Sequence, residues 1–438
     1  MLRDAMLRRG AVLGRSRTAA FRALSHQASR RLGWGVADQA VSSLTNFAVV
    51  LYVAHTVGAA QFGAFSLAYV TYGFALNASR GLATDPLLVR FSGTDLSVWR
   101  SAVAACTGTA TVVGMAAGVC VLGAAALLDG TAKGAFIALG LTLPGLLLQD
   151  SWRYAFFALG RGGQAFLNDV VWASALLPAL IFLRATGHTN VSWFVFAWGA
   201  TAAVAATAGS LQARVVPRLA RSREWMSRHR DLGPRYLAEN TSSSAALQLR
   251  SYGVGLILGL AAVGYVQGAY TLMGPFMVIF YGMNLVAVPE ATRALRRSPR
   301  HLRLFCLLLS GGLALAASAW GAALLVALPR GLGDWLLGPI WRPVDPLVLP
   351  LTIAVLGACV TAGAGGGLHA LGASRRSMRA AVLAAAVFLV CGLVGAVTAG
   401  AVGTMCGAAV AAWIGTLLWW QQLRAALREH DNVKVPAR

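Results

Sequence analysis

Charged and strongly polar side chains inside otherwise apolar stretches are few in this chain, and each costs enough to bury that it is a candidate for function. Asp38, Gln39 and Asn46 lie on one apolar stretch. Asn77, Arg80, Asp85 and Arg90 close the next. Asp150 and Arg153 end a fourth, Asp169 opens a fifth and Glu239 a seventh. Carboxylates and arginines at such positions bind substrate in a cavity or form ion pairs and gates between helices. Asp150 and Arg153, three residues apart, can meet on one helix face. Asp38 and Arg80, at similar depth on adjacent stretches, either pair as a gate or act alone. Arg250 is deeper, about 18 Å into its helix at 1.5 Å per residue, and Gln248 precedes it by two positions. Residues 246, 247, 253 and 254, one turn away on either side, carry no acid. A guanidinium there stays charged and its fork suits phosphate, so it implies a water-filled, anion-accepting cavity or else an acid on another helix.

Nothing in the chain points to catalysis. There is no HExxH, P-loop or GxSxG pattern, and the six cysteines are scattered singly through apolar stretches. We expect no enzyme, no metal and no cofactor apart from a coupling ion.

The elements that hold these residues follow from composition. Of 438 residues, 57% are hydrophobic and 12% charged, roughly half the charged share of a soluble protein. Twelve apolar windows, each near the ~20 residues that cross a bilayer core, fall at 33–54, 62–83, 101–128, 134–157, 168–184, 191–213, 239–260, 264–289, 302–328, 345–369, 379–399 and 402–423. The expected fold is an all-α integral membrane protein of about twelve transmembrane helices in two six-helix bundles around a central cavity.

The formal charge of +22 would suit a nucleic-acid binder if it gathered on one water-facing surface. It does not. The basic residues cluster before the first window, at 214–235, at 293–303, at 375–379 and in the tail, whereas the alternate set of loops holds only Lys133, Arg184, Arg330 and Arg342. The positive-inside rule then puts both termini in the cytoplasm of a cell membrane, with anionic lipid headgroups as partners of the basic loops. The organisation reads as a basic tail 1–32, a first bundle 33–213, a basic linker 214–238, a second bundle 239–423 and a tail 424–438. An Arg-rich start also fits a transit peptide, but equally basic loops on the same side favour a cytoplasmic tail.

An internal echo supports the division. Val57-Gly58-Ala59-Ala60-Gln61-Phe62-Gly63-Ala64 recurs, with one deletion, as Val263-Gly264-Tyr265-Val266-Gln267-Gly268-Ala269. Each copy is expected at the joint between an outgoing and a returning helix, relating the halves by an axis along the membrane normal. The segment 329–345, broken by Gly and Pro, is too irregular to span, and Trp335 and Trp341 in it suit the headgroup level.

Several segments together resemble a known group. Gly33-Trp34-Gly35-Val36-Ala37-Asp38-Gln39, Arg80-Gly81-Leu82-Ala83-Thr84-Asp85-Pro86, Leu148-Gln149-Asp150-Ser151-Trp152-Arg153-Tyr154 and Leu337-Gly338-Pro339-Ile340-Trp341 resemble the polysaccharide and O-antigen flippases of the multidrug/oligosaccharidyl-lipid/polysaccharide (MOP) exporter superfamily. The resemblance covers nearly the whole chain. It implies a cationic lumen between two bundles, alternating access, and an undecaprenyl-pyrophosphate-linked oligosaccharide as substrate, with a polymerase and glycosyltransferases as partners in cell-surface polysaccharide synthesis. By motif it extends to Asp38, Arg80, Asp85, Arg90, Asp150 and Arg153. The two additional C-terminal spans of some relatives are absent. Two alternatives are a drug or cation antiporter of the same superfamily, which favours deep acids, and a membrane glycosyltransferase or ligase, which favours large acidic outer loops.

Overall fold

A computed structural model describes residue 34 and residues 37–433. The basic tail 1–32, the last five residues and the side chain of Glu239 lie outside the described residues.

The described chain is helical almost throughout. The first lobe contains α1 (residues 37–56), α2 (Ala59–Ser79), α3 (Asp85–Phe91), α4 (Leu96–Ala125), α5 (Gly130–Ala158), α6 (Gly162–Ala185) and α7 (Val191–Ala213). A short amphipathic helix α8 (Ser222–Arg228) leads to the second lobe of α9 (Gly233–Leu258), α10 (Leu260–Leu272), α11 (Gly274–Arg297), α12 (Pro299–Ala327), α13 (Leu332–Leu337), α14 (Trp341–Ala370) and α15 (Ser374–Val433). α15 is a hairpin of two helices, because Ala399 and Gly400 leave helical geometry and Gly395 packs against Gly403. Among the described residues, seven helices are long and apolar enough to span a membrane by themselves, and the pair α10–α11, bent by 59° around Met273, makes eight. The twelve expected spans are these, with the α15 hairpin counted as two, together with the more polar rods α1, α2 and α9. Such rods are viable in a bilayer only because their polar faces are covered by protein or water.

Several expectations needed revision. The span expected at 168–184 begins six residues earlier, at Gly162. In the segment 329–345, Trp335 is 72% exposed as expected of a headgroup-level residue, but Trp341 is buried at 5%, because Gly333 has no side chain and lets the indole lie against the backbone of α13.

The basic loops all lie at one end of the rods, termed here the basic end. α2 and α9–α10 run antiparallel in contact along their whole length. At the basic end Gly81 meets the backbone of Tyr236 and Leu237 at 2.5–2.8 Å from where a Cβ would stand. Midway the Thr71 and Tyr252 hydroxyls hydrogen-bond at 2.8 Å. At the opposite end Gly63 lies directly on the Leu260 carbonyl, and Gly264 on the Ala59 carbonyl at 2.7 Å. The two copies of the internal echo thus pack on each other across the lobes. The second copy lies inside α10, four residues past its joint at Gly259, and not at the joint as expected. α1 also meets the second lobe away from the basic end, through Phe47 against Gly274 and His55 against Gly338. Its basic end instead packs on its own lobe, where Trp34 lies against Phe166 with ring centroids 5.5 Å apart. On α11, Val278, Ile279, Tyr281, Gly282 and Met283 are all exposed. At 3.6 residues per turn those five residues cover about 200° of the helix surface, and half-buried Phe280 lies on the remaining side. The lobes therefore touch from end to end on the α2–α9 side, whereas the contacts of α1 with the second lobe lie away from the basic end.

Candidate functional site

Five charged side chains from four helices of the first lobe meet near the basic end. Arg153 of α5 donates to Asp38 of α1 at 2.6 Å, contacts Asp169 of α6 at 3.1 Å and reaches Asp150 one turn away at 3.8 Å. Asp150 is held more tightly by Arg80, whose Nε and Nη2 form a two-pronged pair with its carboxylate at 3.0 and 2.8 Å. The Arg80 guanidinium also lies 5.1 Å above the centre of the Tyr154 ring. Asp38, Asp150 and Asp169 are 1%, 4% and 2% exposed, so three acids are sealed into the lobe with two arginines. Burying such a set is sustainable only when the charges compensate one another. Fully ionised, this set is one positive charge short. The Arg153–Asp169 contact is off line for a hydrogen bond, and Asp38 Oδ1 has no hydrogen-bond partner.

Amides finish the cluster. Gln149 Nε2 donates to Asp169 Oδ1 at 2.8 Å and lies 3.3 Å from Asn168 Oδ1, while Asn168 donates to the Ala205 carbonyl at 2.7 Å. The sequence reading left Gln149 and Asn168 out of the site. The available signal was the Asn168-Asp169 pair in an apolar helix, where two adjacent polar side chains must find partners on neighbouring helices.

Of the two alternatives left open for Asp38 and Arg80, pairing with each other is not realised. Asp38 and Arg80 do not bond each other; each bonds a residue of α5, since Arg153 and Asp150 project from one face of α5 between α1 and α2. Arg80 is therefore a compensated cation in this conformation. The Asp150–Arg153 pair is present but is the longest contact of the cluster. Asp85 and Arg90 do not pair either. Asn240 of α9 donates to Asp85 at 2.7 Å, and Arg90 pairs with Asp231 at 2.5 Å and donates to the Arg228 carbonyl. These bonds fasten the linker and α9 to α3, assisted by Trp225, whose indole donates to the Leu82 carbonyl at 3.2 Å. His229, against Trp225 and Phe91, has its pKa lowered from the usual value chiefly by burial, so it is neutral near pH 7. The Arg90–Asp231 pair is solvent-exposed, and Asp231→Asn should cost less than about 1 kcal/mol of stability in thermal unfolding.

The polar stripe of α1 is divided. Asp38 turns into its lobe, Gln39 is exposed and donates to Ser43 at 3.1 Å, and Asn46 is half-buried. Asn77 is half-buried; Gln248 is buried beside Gly73 at the junction of the lobes, with its Oε1 unpartnered.

Arg250 stands apart. Its side chain is fully buried in the second lobe, between the Phe388 ring at 4.4 Å and the Tyr270 ring at 5.4 Å, where Gly392 leaves room for its methylenes. It donates to the Tyr270 hydroxyl at 2.9 Å, and its Nε and Nη1 have no partner. Among the described residues no carboxylate lies within ion-pair distance of it. Neither the expected water-filled cavity nor an acid on another helix surrounds it; two aromatic rings do, attracting a cation through their faces without cancelling its charge. In this conformation the guanidinium lies behind the lobe surface and not on the open wall of the cavity.

No family model matches the sequence, and no curated protein matches it. Solved structures do. An inward-facing multidrug resistance MATE family transporter of the MOP superfamily superposes with a TM-score of 0.74 at 14% identity, covering 90% of this chain and 96% of that one. The lipid II flippase MurJ in an inward closed conformation gives 0.67 at 11% identity, covering 93% and 94%. An outward-facing MATE family transporter gives 0.54 at 15% identity, covering 89% and 94%. The superposition is better on the inward-facing form than on the outward-facing one. This multi-pass membrane protein has the two-lobed, all-helical fold of the MATE and MurJ transporters of the MOP superfamily.

Proposed function

We propose that the chain is a flippase that carries an undecaprenyl-pyrophosphate-linked oligosaccharide from the cytoplasmic to the outer leaflet of the cell membrane by alternating access, for cell-surface polysaccharide synthesis. Both termini are cytoplasmic in this reading, and the substrate enters between the lobes from the leaflet where it is made. The fold accommodates drug export and lipid flipping alike, so the substrate class rests on the sign of charge. The observation that carries it is Arg250, a buried guanidinium with two free donors and no carboxylate partner. An uncompensated buried cation costs several kcal/mol and suits a substrate that brings negative charge. Arg80 is the second phosphate ligand, in competition with Asp150. Gln39, Asn46, Asn77 and Gln248 offer hydrogen bonds to sugar hydroxyls. The basic loops rest on anionic headgroups, and the polymerase and glycosyltransferases that handle the oligosaccharide are its working partners.

A second reading, antiport of a drug or cation, draws on the carboxylate excess of the first lobe and the unpartnered Asp38 Oδ1. In the flippase reading the same excess receives the coupling ion, H+ or Na+.

The test is translocation of a lipid-pyrophosphate oligosaccharide in proteoliposomes by wild type, Arg250→Lys and Arg250→Met. Flipping should fall about tenfold in Arg250→Met, the equivalent of about 1.4 kcal/mol, and less in Arg250→Lys. The thermal midpoint of Arg250→Met should hold or rise, because an unpaired buried charge is removed. Full-rate flipping by a well-folded Arg250→Met protein would refute the role of this arginine, and export of organic cations by wild type would favour the second reading.

A further inference from the structure

Outside the central cavity, the first lobe has a pocket of about 310 Å³ at its basic end, lined by Leu96, Trp99, Arg100, Arg161, Gln164, Gln212 and Arg214, among others. Its size is at the lower end of small-molecule sites, about 300 to 1,000 Å³. Three separate elements each supply one arginine: the first turns of α4, the loop before α6 and the end of α7. No acid lines the pocket. Three guanidinium groups converging on one concavity repel one another until an anion enters, and their planar forks match phosphate oxygens. The floor is rigid. Trp99 is 1% exposed, and its indole donates to the Ala155 carbonyl at 2.9 Å. The rim is set by Arg214, which holds a left-handed backbone conformation at φ 52° and is the one non-glycine residue with positive φ among those described.

The surroundings indicate the kind of anion. Val98, Leu167 and Leu211, on the same three helices and adjoining the pocket residues in sequence, are 46%, 50% and 78% exposed. Large apolar side chains left exposed on a membrane protein face lipid. The pocket therefore opens where lipid-facing surface meets the basic, water-facing end, which is the level of a headgroup.

We infer that this pocket binds a phosphate-bearing anion, supplied by the headgroup of an anionic phospholipid or by a soluble phosphate ester. The site is separate from the transport cavity and independent of the identity of the transported substrate. Arg100, Arg161 and Arg214 hold the phosphate oxygens, and Gln164 and Gln212 hydrogen-bond the remainder of the group.

The experiment titrates the purified full-length protein with phosphatidylglycerol, phosphatidylcholine and glycerol 3-phosphate, reading bound ligand by native mass spectrometry and the shift in thermal midpoint. The variant is Arg100→Gln/Arg161→Gln/Arg214→Asn, with asparagine at 214 because it tolerates the left-handed backbone. A control with equal loss of charge, Arg296→Gln/Arg297→Gln/Arg300→Gln, alters the basic end of the second lobe. We expect one saturable phosphatidylglycerol to be retained by wild type and by the control. Its affinity should fall on the order of fivefold per pocket arginine, about a hundredfold for the three. Tight binding of glycerol 3-phosphate would support the site with a soluble ligand as its source; binding of phosphatidylglycerol alone would support the lipid. Equal weakening in the variant and the control, or no saturable binding of either phosphate compound to wild type, overturns the inference. The ligand-free midpoint of each variant, expected to match wild type, shows that the comparison is between folded proteins.

Discussion

Arg153→Ala should lower the stability of the detergent-solubilised protein by about 3 to 5 kcal/mol, the usual cost of removing one member of a buried ion network, and should abolish transport. One guanidinium serves Asp38, Asp169 and, at longer range, Asp150. Without it, two carboxylates that are at most 2% exposed lose their only cation, and each must take up a proton or draw water into the lobe. Arg153→Lys should recover less than half of the loss, because a point charge on a flexible stem cannot face acids on two other helices at once. The diagnostic variant is the triple Arg153→Leu/Asp38→Asn/Asp169→Asn, which removes the acids with the base. If the network is a matter of charge balance, the triple variant should be more stable than Arg153→Ala. A thermal midpoint for Arg153→Ala within a degree of wild type would mean that the acids do not depend on this arginine.

Gly63→Val should have the second large effect, on conformation. A Cβ at Gly63 would collide with the Leu260 carbonyl, a backbone atom that cannot rotate away. Inserting a branched side chain into such a contact costs typically 1–3 kcal/mol, occasionally more, and here the cost falls on the state in which the lobes meet at the end opposite the basic loops. At about 3 kcal/mol that state loses more than a hundredfold in population. Val57, at the α1–α2 joint and 3% exposed, supplies the readout. In a cysteine-free background, Val57→Cys should label slowly with a water-soluble maleimide, and much faster once Gly63→Val is added. Gly264→Val should act in the same direction, since Gly264 faces the Ala59 carbonyl. Gly58→Val, with nothing within 4 Å of its Cβ position, should leave labelling unchanged. Slow labelling in both Gly63→Val and Gly264→Val would show that these contacts do not hold the lobes together.

The two effects involve different kinds of information in the chain. The solvent in which most side chains rest was legible from sequence, because hydropathy over about 20 residues is a local property that needs no knowledge of neighbours. So were the approximate spans and the gathering of basic residues in alternate loops. The depth of Arg250 was legible too, as was the lack of an acid within a turn of it, since both follow from distance along one helix. The echo at Val57 and Val263 pointed to a division into two halves. It did not reveal that the copies lie on each other across the lobe junction.

Partnership between helices was beyond the sequence. Asp38 and Arg80 stood at matching depth, which left pairing or independent action open, and both are taken by α5, because pairing depends on which helix faces intervene and not on depth alone. Trp341 looked like an interfacial residue from its Gly- and Pro-rich context, but is buried because Gly333 makes space for it. Arg100, Arg161 and Arg214 are more than fifty residues apart in sequence and read only as topological charge; the packing of α4, α6 and α7 turns them into one pocket. The sequence by itself determined that this is an all-helical membrane protein of two lobes with a few deep charges. Only the tertiary structure decided which of those charges are compensated. Coulomb energy and hydrogen bonding depend on separations of a few ångströms between helices, whereas hydropathy and helical period are properties of each helix alone.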